Sequence, residues 1–187
     1  AENYAERIRT YLVPPVTGSY TFWIASDDQG SLLLSSDSDP ANAIEIASVP
    51  YWANPREYGK YPEQRSDAIS LVAGEVYFLE AKMKEGGGGD NLSVAWEYPG
   101  QSQQVIPASY GRIPLPQARR ALPDTGFTLD TWTNVGGTTL NAIDWNSNPT
   151  FSTAMFPPDN AVLEGPVNTA ENYAERIRTY LVPPVTG

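Results

Sequence analysis

Residues 3–35 read NYAERIRTYLVPPVTGSYTFWIASDDQGSLLLS. Ile8, Thr10 and Leu12 alternate before the VPPVTG break, and Tyr20, Phe22 and Ile24 alternate after it. A period of two places each row on one face of an extended strand, and β-branched and aromatic residues suit a pleated, half-buried surface. Proline, threonine and glycine at 13–18 supply the turn, and SDDQG at 26–30 is a second turn-rich stretch at the end of the second strand.

The same grammar continues along the chain. In VYFLEAKMK, Tyr77, Leu79, Ala81 and Met83 share one face and Val76, Phe78, Glu80 and Lys82 the other, with Ala73-Gly74 as the turn before it. NLSVAWEY puts Leu92, Val94, Trp96 and Tyr98 in one row. Turn chemistry recurs in SDSDPAN at 36–42 and GGGGDN at 86–91, while helical patterns are short, at 139–145 and 56–61. These rows predict an all-β fold, an antiparallel β-sandwich. Burying each large side chain contributes about 1.5–3 kcal/mol, so the five tryptophans, Trp23, Trp52, Trp96, Trp132 and Trp145, are first of all core candidates.

Composition excludes much chemistry. The 187 residues contain no histidine and no cysteine, which removes Ser-His-Asp and Cys-His nucleophiles, thiol redox motifs and the usual zinc ligand sets. Catalysis is not expected; a carboxylate pair of the glycosidase kind is the one enzymatic alternative. With 22 acidic and 12 basic residues the net charge is −10, which repels nucleic acid and anionic headgroups and favours divalent cations. No apolar run is long enough to span a membrane, and no leader pattern stands in the sequence, so membrane insertion is not expected.

The two ends are one sequence. AENYAERIRTYLVPPVTG occupies 1–18 and again 170–187 without a difference, the second copy beginning 169 residues after the first. This reads as a tandem array or fibre framed with overlapping ends, the alternative being an appended duplicate. RIPLPQARRALPDTG at 112–126 carries three prolines, three arginines and no strand pattern. The expected organisation is therefore a sandwich body at 1–111, a linker between copies at 112–126, and opening strands of the next copy at 127–187. Covalent tandem connection and donor-strand exchange between subunits both satisfy it.

The order of 3–35 followed by NPREYGKYPEQRSDAISLVAGEVYFLEAKMKEGGGGDNLSVAWEYPG at 54–100 resembles the protective-antigen-type PA-fourteen domain. GFTLDTWTNVGGTTLNAIDWNSNP at 126–149 is similar to that family's opening strand and following loop, so the frame is circularly shifted. The resemblance implies a secreted or cell-surface β-sandwich, found in toxins, glycosidases, adhesins and flocculins, many of which bind carbohydrate through calcium. It implies that Asp27 and Asp28, joined by a cis peptide, hold the ion and contact sugar, and that Asp90 and Asn91 complete the metal site, Asn91 also facing the glycan. From local sequence alone both stretches read as ordinary turns; calcium's preference for six to eight mixed oxygen donors suits the pairing.

Two functions follow as expectations. One is a calcium-stabilised structural repeat of an extracellular fibre or adhesin, whose partners are neighbouring copies of itself head to tail. The other is a calcium-dependent glycan-binding module, with an accessory domain of a carbohydrate-active enzyme as a remote alternative. Asn91-Leu92-Ser93 also fits a glycosylation sequon, LPDTG at 122–126 resembles a sorting signal by coincidence, and Asp37 and Asp39 read as turn residues.

Overall fold

A computed structural model describes residues 2–113, 125–155 and 162–165. The strands are β1 (Tyr4–Leu12), β2 (Gly18–Asp27), β3 (Gly30–Leu34), β4 (Ile44–Val49), β5 (Ile69–Leu71), β6 (Tyr77–Glu85), β7 (Asn91–Tyr98), β8 (Gln101–Val105), β9 (Gly111–Arg112), β10 (Phe127–Trp132) and β11 (Phe151–Met155). They form two antiparallel sheets, the all-β sandwich expected. One sheet runs β11-β10-β1-β6-β3-β4, with β9 also on β1, and the other runs β5-β2-β7-β8.

The alternating rows become the shared core. Ile8, Leu12, Tyr20, Phe22, Ile24, Leu79, Ala81, Met83, Leu92, Val94 and Trp96 are all buried. Tyr20, Trp96, Tyr98 and Tyr110 stack about one another, with Trp96 5.5 Å from Tyr20 and 5.2 Å from Tyr110 between ring centroids. Such aromatic contacts add to area burial and pack the smaller sheet against the turn that carries Tyr110.

The helical expectation at 139–145 shrinks to a 3-10 turn at Leu140–Ala142, and 56–61 holds no helix, a 3-10 turn following at Pro62–Gln64. Neither segment carries an apolar stripe long enough to repay helix nucleation. The 36–42 stretch is the expected Asx-type turn: Asp37 Oδ1 accepts from Asp39 N at 2.7 Å, and Asp39 Oδ1 accepts from Ala41 N at 2.9 Å. Among the described residues no helix is long and apolar enough to cross a membrane.

The C-terminal segment takes a place of its own. β10 pairs antiparallel with β1 of the same chain, in register from Ala5↔Trp132 to Arg9↔Thr128, and β11 pairs with β10. The expectation gave 127–187 to the next copy; within one chain, β10 and β11 instead extend the chain's own sheet beyond β1. Phe127 enters the main core, and Trp132 packs with Ala5 and Ile143 in a second cluster. Polar contacts seal the joint. Asp130, fully buried, accepts from Arg7 Nε at 3.0 Å, Arg7 Nη2 at 2.9 Å and Ser152 Oγ at 2.7 Å, and pairs with Arg9 Nη2 at 2.7 Å. Residues 114–124 of the expected linker and the second copy at 170–187 lie outside the described residues.

Candidate functional site

Two connections cross between the sheets at the same end of the sandwich. β2, in the smaller sheet, ends at Asp27, and β3, in the larger, begins at Gly30. β6, in the larger sheet, ends at Glu85, and β7, in the smaller, begins at Asn91. SDDQG and GGGGDN are thus paired crossovers, not the hairpin turns that local sequence suggests. Register places them together: Asp27 lies opposite Asn91, and Gly30 opposite Met83.

Backbone contacts knit the crossovers. The Asp27-Asp28 peptide is cis. Asp28 N donates to Lys84 O at 3.2 Å, Lys84 N to Gln29 O at 3.0 Å, and Gly86 N to the Asp28 carboxylate at 2.9 Å. Gly86 is required by crowding: a Cβ there would stand 2.5 Å from Thr138 Cγ2 and 3.2 Å from Asp28 Oδ2. Gly88, at φ 115°, turns the loop through a conformation that side chains disfavour.

Carboxylates of Asp27, Asp28 and Glu85 gather within 4.8 Å of one another. Glu85 is fully buried, and among the described residues neither of its carboxylate oxygens has a hydrogen-bond partner. Asn91 is buried beside them; its Nδ2 donates to Ala53 O at 2.9 Å, and its Oδ1 has no partner among the described residues. A buried polar oxygen without a donor costs roughly 1–3 kcal/mol, more for a charge. Three such oxygens, two from Glu85 and one from Asn91, beside the Asp27 and Asp28 carboxylates, form an oxygen cage that a hard cation would satisfy.

The electrostatics agree. Burial first, then the charges of Asp28, Asp27 and Asp90, push the Glu85 carboxyl up to about 8. Burial and then Asp28 raise Asp27 to about 6, against the opposing pull of Lys60. Burial and then Asp90 carry Glu6 to about 8, and burial with Glu6 and Asp90 holds the Tyr4 phenol far above its ordinary value. Lys84, also buried, donates its ammonium to the Glu85 carbonyl oxygen; desolvation lowers its pKa, although Glu85 and Asp28 pull the other way. Lys84 and Lys60 offset this much negative charge only in part.

Sequence reading placed Asp27, Asp28, Asp90 and Asn91 in the site. The fold brings the first two together and sets Asn91 against Asp27. Asp90 is buried nearby, acting on Tyr4 and Glu6 as well as on the cluster, but it is not one of the three carboxylates that meet within 4.8 Å. Glu85 was missed. Its signal was present: the buried row Tyr77, Leu79, Ala81, Met83 continues by twos to Glu85, an acid at a core position. The sequon is closed, because Asn91 is 1% exposed and its amide nitrogen is engaged.

The family model described as the PA14 domain matches residues 1–110. Fibrocystin of Canis lupus familiaris is 32% identical over 89 residues, which cover 43% of this chain and 2% of that protein. N-acetyl-beta-glucosaminyl-glycoprotein 4-beta-N-acetylgalactosaminyltransferase 1 of Mus musculus is 32% identical over 116 residues, covering 58% of this chain and 11% of that protein. The chain thus spans a small part of the curated relatives it matches. Among solved structures, the epithelial adhesin 6 A domain from Candida glabrata, in complex with Galb1-3GlcNAc, aligns at TM-score 0.40 and 17% identity, covering 52% of this chain and 45% of that one.

Proposed function

The chain belongs to the PA14 domain family, and from that premise we propose that it is an extracellular, calcium-dependent carbohydrate-binding module, acting by binding and not by turnover. The observation that carries the reading is the buried Glu85 carboxylate, without a hydrogen-bond partner among the described residues and set against Asp27 and Asp28 within 4.8 Å. Asp27, Asp28, Glu85 and the Asn91 side-chain oxygen are the residues that would hold the ion, with Asp90 supplying further negative charge. Bound calcium would satisfy these oxygens and offer remaining coordination positions to sugar hydroxyls. The chain's own work is to fix the oxygens from two crossovers and keep water from the buried half of the cage. The mouse relative's name, which describes transfer to a glycoprotein sugar, is in keeping with a carbohydrate context.

The test is tryptophan-sensitised terbium luminescence with calcium competition, followed by a printed glycan array probed with and without chelator. Calcium-competed terbium binding and chelator-sensitive glycan signals are the expected results. Absence of any metal binding would sink the reading.

A second reading is favoured by the identity of 1–18 with 170–187: the module is one repeat of a head-to-tail fibre, calcium stiffening each unit. In such an array the β10–β11 slot beside β1 would be filled by the preceding copy. The denatured mass of the native polypeptide separates its two forms, since many multiples of one period support a covalent array and a mass near that of a single chain supports donor-strand exchange between subunits; a single-chain mass with no self-association refutes the fibre.

A further inference from the structure

The acidic cluster opens on one side into a cleft of about 450 Å³, within the range of about 300–1,000 Å³ typical of small-molecule sites. Asp28 and Gln29 line its base, Tyr51 and Trp52 one wall, and Thr138 and Thr139 the other. The two walls come from distant parts of the chain, and the second belongs to the segment that adds β10 to the sheet.

The aromatic wall is solvent-facing yet fixed. Tyr51 is 69% and Trp52 46% exposed, whereas Trp23, Trp96 and Trp132 are buried. Trp52 bridges to Asp27, Ala53 N donates to Ser26 O at 2.7 Å, and the Lys60 ammonium sits over the Trp52 ring. Neighbouring exposed aromatics held rigid beside a polar cluster suit a ligand with one apolar face and several hydroxyls. A pyranose ring has that chemistry.

The opposite wall is tied down by named contacts. Leu140 N donates to Gln29 Oε1 at 2.8 Å, Val135 N to Asn3 O at 2.6 Å, and Trp145 Nε1 to Leu140 O at 3.0 Å. Arg7 Nη1 in turn donates to Trp145 O at 2.8 Å while its other nitrogens hold Asp130. Thr138 rests on Gly86, where no side chain fits.

We infer that the loop at 135–140 forms the far wall of a pyranose-binding cleft, and that Gln29 is a positioning residue that latches this wall over the Asp28 edge of the metal cluster. The inference rests on the carbohydrate-binding reading above. It makes β10 addition and ligand selection one event: whichever copy supplies β10 also supplies Thr138 and Thr139 to the cleft.

The full chain and three variants test it, with terbium for the metal and the printed glycan array for the sugar. Gln29→Met removes the acceptor at similar size, Gln29→Glu restores an acceptor, and Thr139→Trp fills the cleft from an exposed position. Terbium affinity should stay within twofold in Gln29→Met and Thr139→Trp and should not fall in Gln29→Glu, whose added carboxylate stands beside Asp28. Glycan signals should fall at least tenfold in Gln29→Met and Thr139→Trp, with partial recovery in Gln29→Glu. Wild-type glycan profiles in both Gln29→Met and Thr139→Trp would overturn the wall and leave the lectin reading standing. A wild-type chain that binds terbium but no glycan overturns both.

Discussion

Among the described residues, Asp130 and Glu85 are two buried carboxylates whose surroundings differ in one respect. At the β10–β1 joint, Asp130 is fully buried and receives donors from Arg7 and Ser152, with Arg9 as a further ion-pair partner. At the crossover end, Glu85 is equally buried, meets two more acids, and has no hydrogen-bond partner among the described residues. Charge removed from water must be paired or coordinated. The first place spends its carboxylate on holding a strand; the second presents its carboxylates to something outside the chain.

The sharpest break of that comparison is Asp130→Ala. It leaves Arg7, whose side chain is 11% exposed, with Glu80 at 3.9 Å in place of the acid it grips, and removes the side-chain tie between β10 and β1. Removing one partner of a buried pair costs about 3–5 kcal/mol; since Arg9 is 32% exposed and can turn to water, about 3 kcal/mol is expected. Urea unfolding checks it, and a change below about 1 kcal/mol would mean that the joint is not held by its ion pairs. Terbium affinity should move little if the two acidic places are separate.

Chelation should act at the other place with nearly the same size. At calcium a hundredfold above its dissociation constant, binding stabilises the native state by about 2.7 kcal/mol, all of which EDTA removes. Thermal unfolding with and without EDTA measures it, and Asp28→Asn should abolish the difference. An EDTA effect that survives Asp28→Asn would place the ion elsewhere.

How much of this contrast could be read from sequence follows from what each feature depends on. The facing rows of β1, β2, β6 and β7 are local, a period of two, and they gave the sandwich. Asp27 and Asp28 were legible through the family resemblance, although alternation alone left SDDQG an ordinary turn. Glu85 obeyed the period yet was passed over, since an acid ending an apolar row is usually taken for the edge of the strand. The Gln29–Leu140 latch was beyond reach: it joins residues 111 apart and depends on where β10 docks. Trp52 could not be separated from the other tryptophans, because exposure is a property of the packed fold.

A gentler variant reverses the sign of the first. Glu85→Gln in calcium-free buffer above about pH 8, where the raised Glu85 carboxyl is ionised, takes an unpaired charge out of a cluster that has too many, and an unpaired charge held away from water is costly. Stability equal to wild type, or up to about 1 kcal/mol above it, is expected, together with at least a tenfold loss of terbium affinity. If Glu85→Gln instead destabilised the metal-free protein as Asp130→Ala does, Glu85 would be a structural acid and the contrast between the two places would fail.

The smallest effect belongs to a third carboxylate, Glu164, which shows what solvent does to the same chemistry. Its oxygens accept from Arg56 Nε at 3.0 Å and Nη2 at 2.6 Å, a two-point grip like the one Arg7 makes on Asp130. Yet the Arg56 side chain is 58% exposed, so water competes for the guanidinium and screens the pair. Arg56 also feels the pair as a raised pKa, its hydrogen bond to Glu164 being the largest cause. Glu164→Gln should therefore cost about 0.5 kcal/mol, falling further in 0.5 M salt, where Asp130→Ala should keep most of its effect. Urea midpoints at low and high salt decide the point: equal salt sensitivity of the two variants would mean that burial does not separate them.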